Sequence, residues 1–484
     1  MTGTLGLIRL ILRRDRIVLP LWILALALIP MSFVSTYGDL FPTAEARASY
    51  ANNAGFITLY GSLSGTSLGE FVTWRLGFVP LMVGLIALLT VIRHTRVEEE
   101  TGRSELLGSS VVGRHAGLAA ALVTVFAANL ILAVLIALGM HGQDLPWAGS
   151  VALGLEFAST GWLFAAVGAV AAQLTANAGT ARGTAIGVLG ASFILRAAGD
   201  TSGHTDGPLA WLSWLSPVGW AQRIHPYGAN QWWLGGLMLA ATVVLVVAAV
   251  QLAVRRDVGS GLLPARLGPA EGRLGSPLGL AWRLHRGLLA AWTSAFLLLG
   301  LLFGGVAEGV GDMMRDDPKI QEMFQRLGGA GALIDSFLVG VMTITGLIAS
   351  AYAVQATLRL RAEEASGRAE PVLATATSRL RWALSHLIFS LLGPAVALFA
   401  AGAAAGIAYG LAIDDLSGQL PRLIAAALIQ LPAVWLLAAL TLALFGLVPQ
   451  ATQAAWAGPT LCLLIGLTSA GIQLAPWLKD ISPF

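Results

Sequence analysis

Apolar runs of about twenty residues recur along the whole of this chain, and they restrict its fold more than any other feature does. Each run is long enough to cross a hydrocarbon core of ~30 Å as a helix, which satisfies its own backbone hydrogen bonds in lipid. The chain therefore reads as an all-α polytopic membrane protein. Composition agrees, since 56% of the 484 residues are hydrophobic and only 11% are charged, against roughly 25% charged in ordinary soluble proteins. The 57 glycines suit close helix contacts within a bundle.

Residues 5–16, LGLIRLILRRDR, set Leu and Ile opposite Arg at helical spacing, which predicts a short helix lying on the membrane surface. No small-residue cleavage site follows, so the first span is read as a retained helix and not as a signal peptide. Spans one to six are expected at 17–36, 71–92, 115–138, 148–172, 183–198 and 231–254, with a short helix near TAEARASYANNAGF in the 37–70 segment. Residues 255–277 are rich in Gly, Pro and Arg and read as an aqueous linker. A second half then replays the first. Arg13, Arg16 and Trp22 return as Arg283, Arg286 and Trp292, and Trp211, Leu212, Ser216 and Pro217 return as Trp477, Leu478, Ser482 and Pro483. The expected organisation is a first repeat over 1–254, the linker 255–277 and a second repeat over 278–484, two parallel repeats of about six transmembrane helices. Spans seven to eleven fall at 288–306, 336–358, 383–411, 421–446 and 455–474. No counterpart of the sixth span follows, so eleven crossings are expected, with the twelfth absent from a truncated or processed chain.

A dense polar cassette interrupts this apolar background twice. Residues 97–114, VEEETGRSELLGSSVVGR, are echoed by 362–379, AEEASGRAEPVLATATSR, so that Glu98, Glu99, Gly102, Arg103, Glu105 and Arg114 fall on Glu363, Glu364, Gly367, Arg368, Glu370 and Arg379. Paired carboxylates, a turn-permitting Gly, an Arg and a further Glu suggest a short amphipathic helix across the mouth of the bundle. Anchoring of helix ends would explain the arginines alone. The repeated carboxylates point further, to a docking element. With the N-terminus inside, the inner segments hold 20 of the 29 basic residues, which places both cassettes in the cytoplasm.

Several classes of chemistry find no support. No G-x-x-x-x-G-K-[ST] loop is present, so ATP-driven work requires a partner. No nucleophile elbow or metal-binding helix suggests an enzyme. The seven histidines lack ligand spacing, and the single Cys462 reads as a core residue. No catalytic residue, metal site or nucleic-acid partner is assigned. A lipid-processing enzyme using Asp39, Asp316 and Asp317 has little in its favour, since nothing repeats those residues as a pair.

The E-E-x-x-G-R-x-E cassette, the Arg13-x-x-Arg16 surface helix, the linker RDVGSGLLPAR and the Ser216-Pro217 pair resemble those of fused, two-repeat permeases of ABC-2-type exporters. The similarity extends to actinobacterial permeases described as exporters of polyketide antibiotics such as tetronasin, and of other drugs. It covers essentially the whole chain. The resemblance implies an ABC-2-type exporter transmembrane fold in a bacterial plasma membrane, moving hydrophobic small molecules out of the cell. It also implies that Glu98, Glu99, Gly102, Arg103, Glu105, Glu363, Glu364, Gly367, Arg368 and Glu370 form coupling helices for two nucleotide-binding ATPase subunits, which would carry ATP and Mg. In that architecture the pathway runs between spans two and five and their repeats, with Trp74, Phe78, Phe193, Phe337 and Met342 as lining candidates. An ion-gradient-driven secondary transporter, which also often has duplicated halves, is the alternative. Its requirement for buried titratable groups draws notice to Glu156 inside span four, with Arg196 as its candidate partner.

Overall fold

The computed structural model describes residues 2–51, 56–57, 60–103, 111–204, 207–257, 259–263, 275–315, 330–469 and 482–484. The chain divides into two compact units, Met1–Gly268 and Pro269–Phe484. Helices, turns and irregular segments make up both, with no strand among the described residues. Ten helices among them are long and apolar enough to cross a membrane, six in the first unit and four in the second. The protein is an all-α polytopic membrane protein.

The first unit begins with α1 (Thr4–Arg14), whose Leu5, Leu10 and Leu12 are exposed while only Ile11 is buried. That distribution suits a helix lying against lipid. A break at Asp15–Ile17 separates it from α2 (Val18–Leu40). Asp15 explains the break, since its buried carboxylate meets His94 Nε2 at 2.5 Å and Arg93 at 3.1 Å. After α3 (Ala44–Ala51), the expected second span is not one helix but two. The first piece, α4 (Leu68–Arg75), starts at a capping box in which Ser67 and Glu70 satisfy each other's backbone amides. It stops at Leu76–Gly77, and α5 (Val79–His94) restarts with Pro80 in its first turn, where a missing N–H costs nothing.

The cassette helix α6 (Arg96–Glu100) follows, then α7 (Ala116–His141) and α8 (Trp147–Leu174). The unit is built around α8, the most buried span. Gly154, Gly161 and Gly168, spaced seven apart, line one stripe of it. A methyl group at Gly154 would stand 2.6 Å from the Ala133 carbonyl oxygen, and one at Gly168 2.8 Å from that of Leu88. Glycine therefore lets the backbones of α7 and α5 approach α8 closely. The unit closes with α9 (Ala178–His204), the short α10 (Pro217–Gln222) capped by Ser216 Oγ, and α11 (Trp232–Val254).

In the second unit, α12 (Pro277–Arg315) runs as one helix through the expected surface segment and seventh span. The position matching Asp15 is His285, which meets His386 at 3.0 Å and provides no carboxylate to draw the chain aside. Then come α13 (Ala330–Ala365), α14 (Glu370–Leu373) and α15 (Arg379–Ala412). The tenth span bends at Ile429–Gln430 into α16 (Leu416–Leu428) and α17 (Leu431–Leu447), where Pro432 opens the second piece. Gly304 faces the Ala405 backbone, and Gly402 faces that of Leu423, so α12 and α16 both pack closely on α15. The expected eleventh span begins as α18 (Ala457–Ser469), and its remainder lies outside the described residues.

Candidate functional site

The first cassette is tied into its unit through buried arginines. Arg96, whose side chain is fully buried, donates from Nε and Nη2 to the Ala176 carbonyl at 2.9 and 2.6 Å, from Nη2 to Gly259 at 2.7 Å and from Nη1 to Ser260 at 2.8 Å. Nη1 also reaches Glu99 Oε2 at 2.7 Å. One guanidinium thus fastens three segments together: the cassette, the turn between α8 and α9, and the chain beyond α11. Arg256 completes the lock, gripping both oxygens of Glu99 at 2.6 and 2.8 Å and Gln173 Oε1 at 2.7 Å. Backbone amides of Leu262 and Leu263 donate to Gln173 and Leu174, fixing the start of the linker beneath the same helix end.

Glu98 and Glu100, the neighbours of Glu99, are also engaged within the chain. Glu98 pairs with Arg14 of α1 and, at 3.1 Å, with Arg103. Glu100 accepts the Ala178 backbone amide at 3.0 Å, placing a negative charge at the N-terminus of α9. Arg114 donates to the Val254 and Arg256 carbonyls at 3.0 Å each, capping the C-terminus of α11. A cavity of about 250 Å³ lies between α1, the cassette and the start of α7, with Leu7, Leu10 and Leu118 among its apolar lining.

The second cassette has the same turn in a more open setting. Glu363 and Glu364 sit on the last turn of α13, and not on a separate helix as the sequence suggested. Gly102 and Gly367 have φ of 72° and 70°, so each cassette turns through the left-handed conformation that glycine adopts freely. Glu363 is held between Arg359 at 2.8 Å and Arg368 at 3.0 Å. Ala369 packs with Leu360 and Trp382, which seats the turn on its own unit. Glu364 meets only Arg361 at 3.3 Å among the described residues and keeps half its side chain exposed. Glu370 is exposed too, and Glu105, its counterpart, lies outside the described residues. Of the cassette carboxylates Glu98, Glu99, Glu363 and Glu364, the first three pair with two arginines each, and Glu364 keeps the most exposed side chain.

The lining candidates disperse. Phe78, just before α5, and Phe193 on α9 meet edge to face at 6.2 Å, both partly exposed. Trp74 is instead buried in an aromatic cluster with Tyr50, Phe56, Tyr60 and Phe71, its indole donating to Gly61 O at 2.6 Å. Met342 is buried in the core of the second unit, and the Phe337 side chain lies outside the description. Sequence reading missed the centre of the aromatic cluster, Arg75, whose guanidinium lies 4.7–5.6 Å from the rings of Tyr60, Tyr37, Tyr50 and Phe56. A cation flanked by Phe71, Trp74 and Phe78 within an apolar span was the available signal. Burial there pushes the Tyr50 hydroxyl up to about 12.

Glu156 and Arg196 do not pair. Arg196 turns to Asp200 at 3.8 Å, which Arg223 also meets at 3.2 Å, while Glu156 Oε2 has no hydrogen-bond partner among the described residues. The two residues lie on adjacent helices, but Asp200, one turn beyond Arg196 on its own helix, competes more effectively. Among the described residues no group of three or more His, Cys, Asp or Glu could hold a metal ion.

Comparison with known proteins agrees with a transport permease. Residues 274–484 match the family described as multidrug efflux system permease Rv1217c, C-terminal domain. Over 491 aligned residues, spanning all of this chain and 88% of its relative, the protein is 45% identical to the multidrug efflux system permease protein Rv1217c of Mycobacterium tuberculosis (strain ATCC 25618 / H37Rv). Similarity of that extent makes this chain a member of the Rv1217c family of multidrug efflux system permeases.

Proposed function

We propose that the chain is the transmembrane subunit of an ATP-driven ABC exporter, with an ABC-2-type architecture and two separate ATPase subunits that bind ATP and Mg. The observation that carries this reading is the pair of matching polar turns, Glu98–Arg103 and Glu363–Arg368, each hinged on a left-handed glycine and each fixed to the end of a spanning helix. A rigid turn on a spanning helix can pass motion from a docked subunit into the bundle. The chain has no phosphate-binding loop with which to harvest ATP itself. The N-terminus and both cassettes are cytoplasmic in this reading, and the substrates are hydrophobic drugs or polyketide-like antibiotics, so that export confers resistance. Purification from native membranes in mild detergent tests it. An ATPase should accompany the permease at two copies per chain, and recovery of the permease alone under conditions that preserve other such complexes would contradict the proposal.

One observation favours a second reading, transport driven by an ion gradient. Glu156 is a buried carboxyl within a span, and such groups serve ion pathways. Drug transport by the purified chain in liposomes with an imposed proton gradient and no ATPase would select this reading over the first.

A further inference from the structure

At the end of the first unit away from the cassette, a chamber of about 70 Å³ lies among the 60–64 segment, α4, α8 and α10. One water needs roughly 10–15 Å³ of such space, so the chamber takes a few water-sized groups. Its charged groups are mostly compensated. Asp200 is shared by Arg223 and Arg196, and Glu70 Oε2 accepts from the Ser67 amide and hydroxyl. His225, also on the wall, is held below its usual range by burial first and by Arg223 second, so it adds no charge near neutral pH.

Three oxygens on this wall are different. Glu156 Oε2, Gln222 Oε1 and Thr73 Oγ1 are buried without a hydrogen-bond partner among the described residues. Gln222 presents its oxygen because its Nε2 donates to the Gly77 carbonyl at 2.9 Å. Glu156 is only 1% exposed, within a span, and no ion pair reaches it among the described residues. Buried acceptors left unmet are costly, and an uncompensated intramembrane carboxyl more so. Such a set is satisfied by a ligand that brings both donors and positive charge.

We propose that this chamber binds the protonated amino group of a primary amine, with Glu156 supplying the counter-charge and Gln222 and Thr73 the other two acceptors. A primary ammonium carries three N–H donors and one charge, as a lysine head does, which matches three unmet acceptors of which one is a carboxylate. A quaternary ammonium has no donor, and an alcohol has no charge. Only the head fits the chamber, so the carbon chain of the amine extends out of it. Free ammonium offers the same chemistry. The site is independent of how transport is powered.

Isothermal titration of the detergent-purified full chain with butylammonium chloride tests this, with ammonium, tetramethylammonium, sodium chloride and butanol as parallel arms. Butylammonium should bind saturably and tetramethylammonium, sodium and butanol should not. Ammonium binding as tightly as butylammonium would assign the site to the free ion, and weaker ammonium binding would assign it to the amino end of a larger compound. Glu156→Gln, which keeps the shape and removes the charge, should weaken binding about ten- to hundredfold. Gln222→Met should weaken it severalfold and is the fallback where Glu156→Gln does not fold. Absence of saturable amine binding to the wild type, unchanged affinity in both variants, or equal binding of sodium or tetramethylammonium would overturn the proposal.

Discussion

The two cassettes share a sequence pattern and a left-handed glycine, yet they are held by different physics. In the first, Arg96 and Arg256 are almost wholly buried and bind Glu99 together with backbone carbonyls from two other segments. In the second, the position equivalent to Arg96 is Arg361, one-third exposed and paired with a half-exposed Glu364. The repeated residues therefore preserve the turn, and the residues around them decide whether its carboxylates are consumed internally or left open. A repeated motif fixes backbone shape more firmly than it fixes side-chain role.

The largest difference should appear on removing the equivalent arginines. Arg96→Ala strands the Ala176 and Gly259 carbonyls, leaves Ser260 and Glu99 to Arg256 alone, and should cost about 3–5 kcal/mol of stability. Arg361→Ala removes an exposed pair and should cost less than about 1 kcal/mol. Thermal unfolding of the two variants in detergent separates them, and equal losses would erase the distinction. A smaller effect, common to both copies, should follow from Gly102→Ala and Gly367→Ala, since a left-handed backbone costs a non-glycine residue about 1–2 kcal/mol. Unequal costs in the same assay would show that only one turn depends on its glycine. The smallest effect concerns salt. At 1 M the screening length falls to about 3 Å, so hydrogen exchange at 361–370 should quicken while that at 96–101, locked by buried pairs, stays unchanged.

Much of the framework was legible because lipid demands long apolar helices, and the apolar runs marked them in order. The breaks were harder to read. Ser67-x-x-Glu70 and Pro80 signalled the split of the second span, but mean apolarity across 71–92 concealed it. The break after α1 depends on Asp15 meeting His94, a contact between residues 79 positions apart that no local pattern reveals. The cassettes announced themselves by repetition, whereas the role of Arg256 did not, since its partner Glu99 lies 157 residues away. Glu156 was conspicuous as a charge within a span. The spacing of Arg196 and Asp200, one helical turn apart, offered the competing pair, but that Glu156 would be left with an unmet oxygen was decided by packing.

The central proposal is that the two polar turns pass motion between an ATPase and the membrane bundle, the second with its carboxylates open. Its most direct test is drug-stimulated ATP hydrolysis in proteoliposomes containing the permease and the ATPase purified with it. Glu364→Ala combined with Glu370→Ala changes only exposed carboxylates, so the protein should remain folded and membrane-inserted. Stimulation is expected to fall at least about tenfold, equivalent to roughly 1.4 kcal/mol of lost coupling. Stimulation equal to that of the wild type, with the same ATPase bound, would contradict the claim.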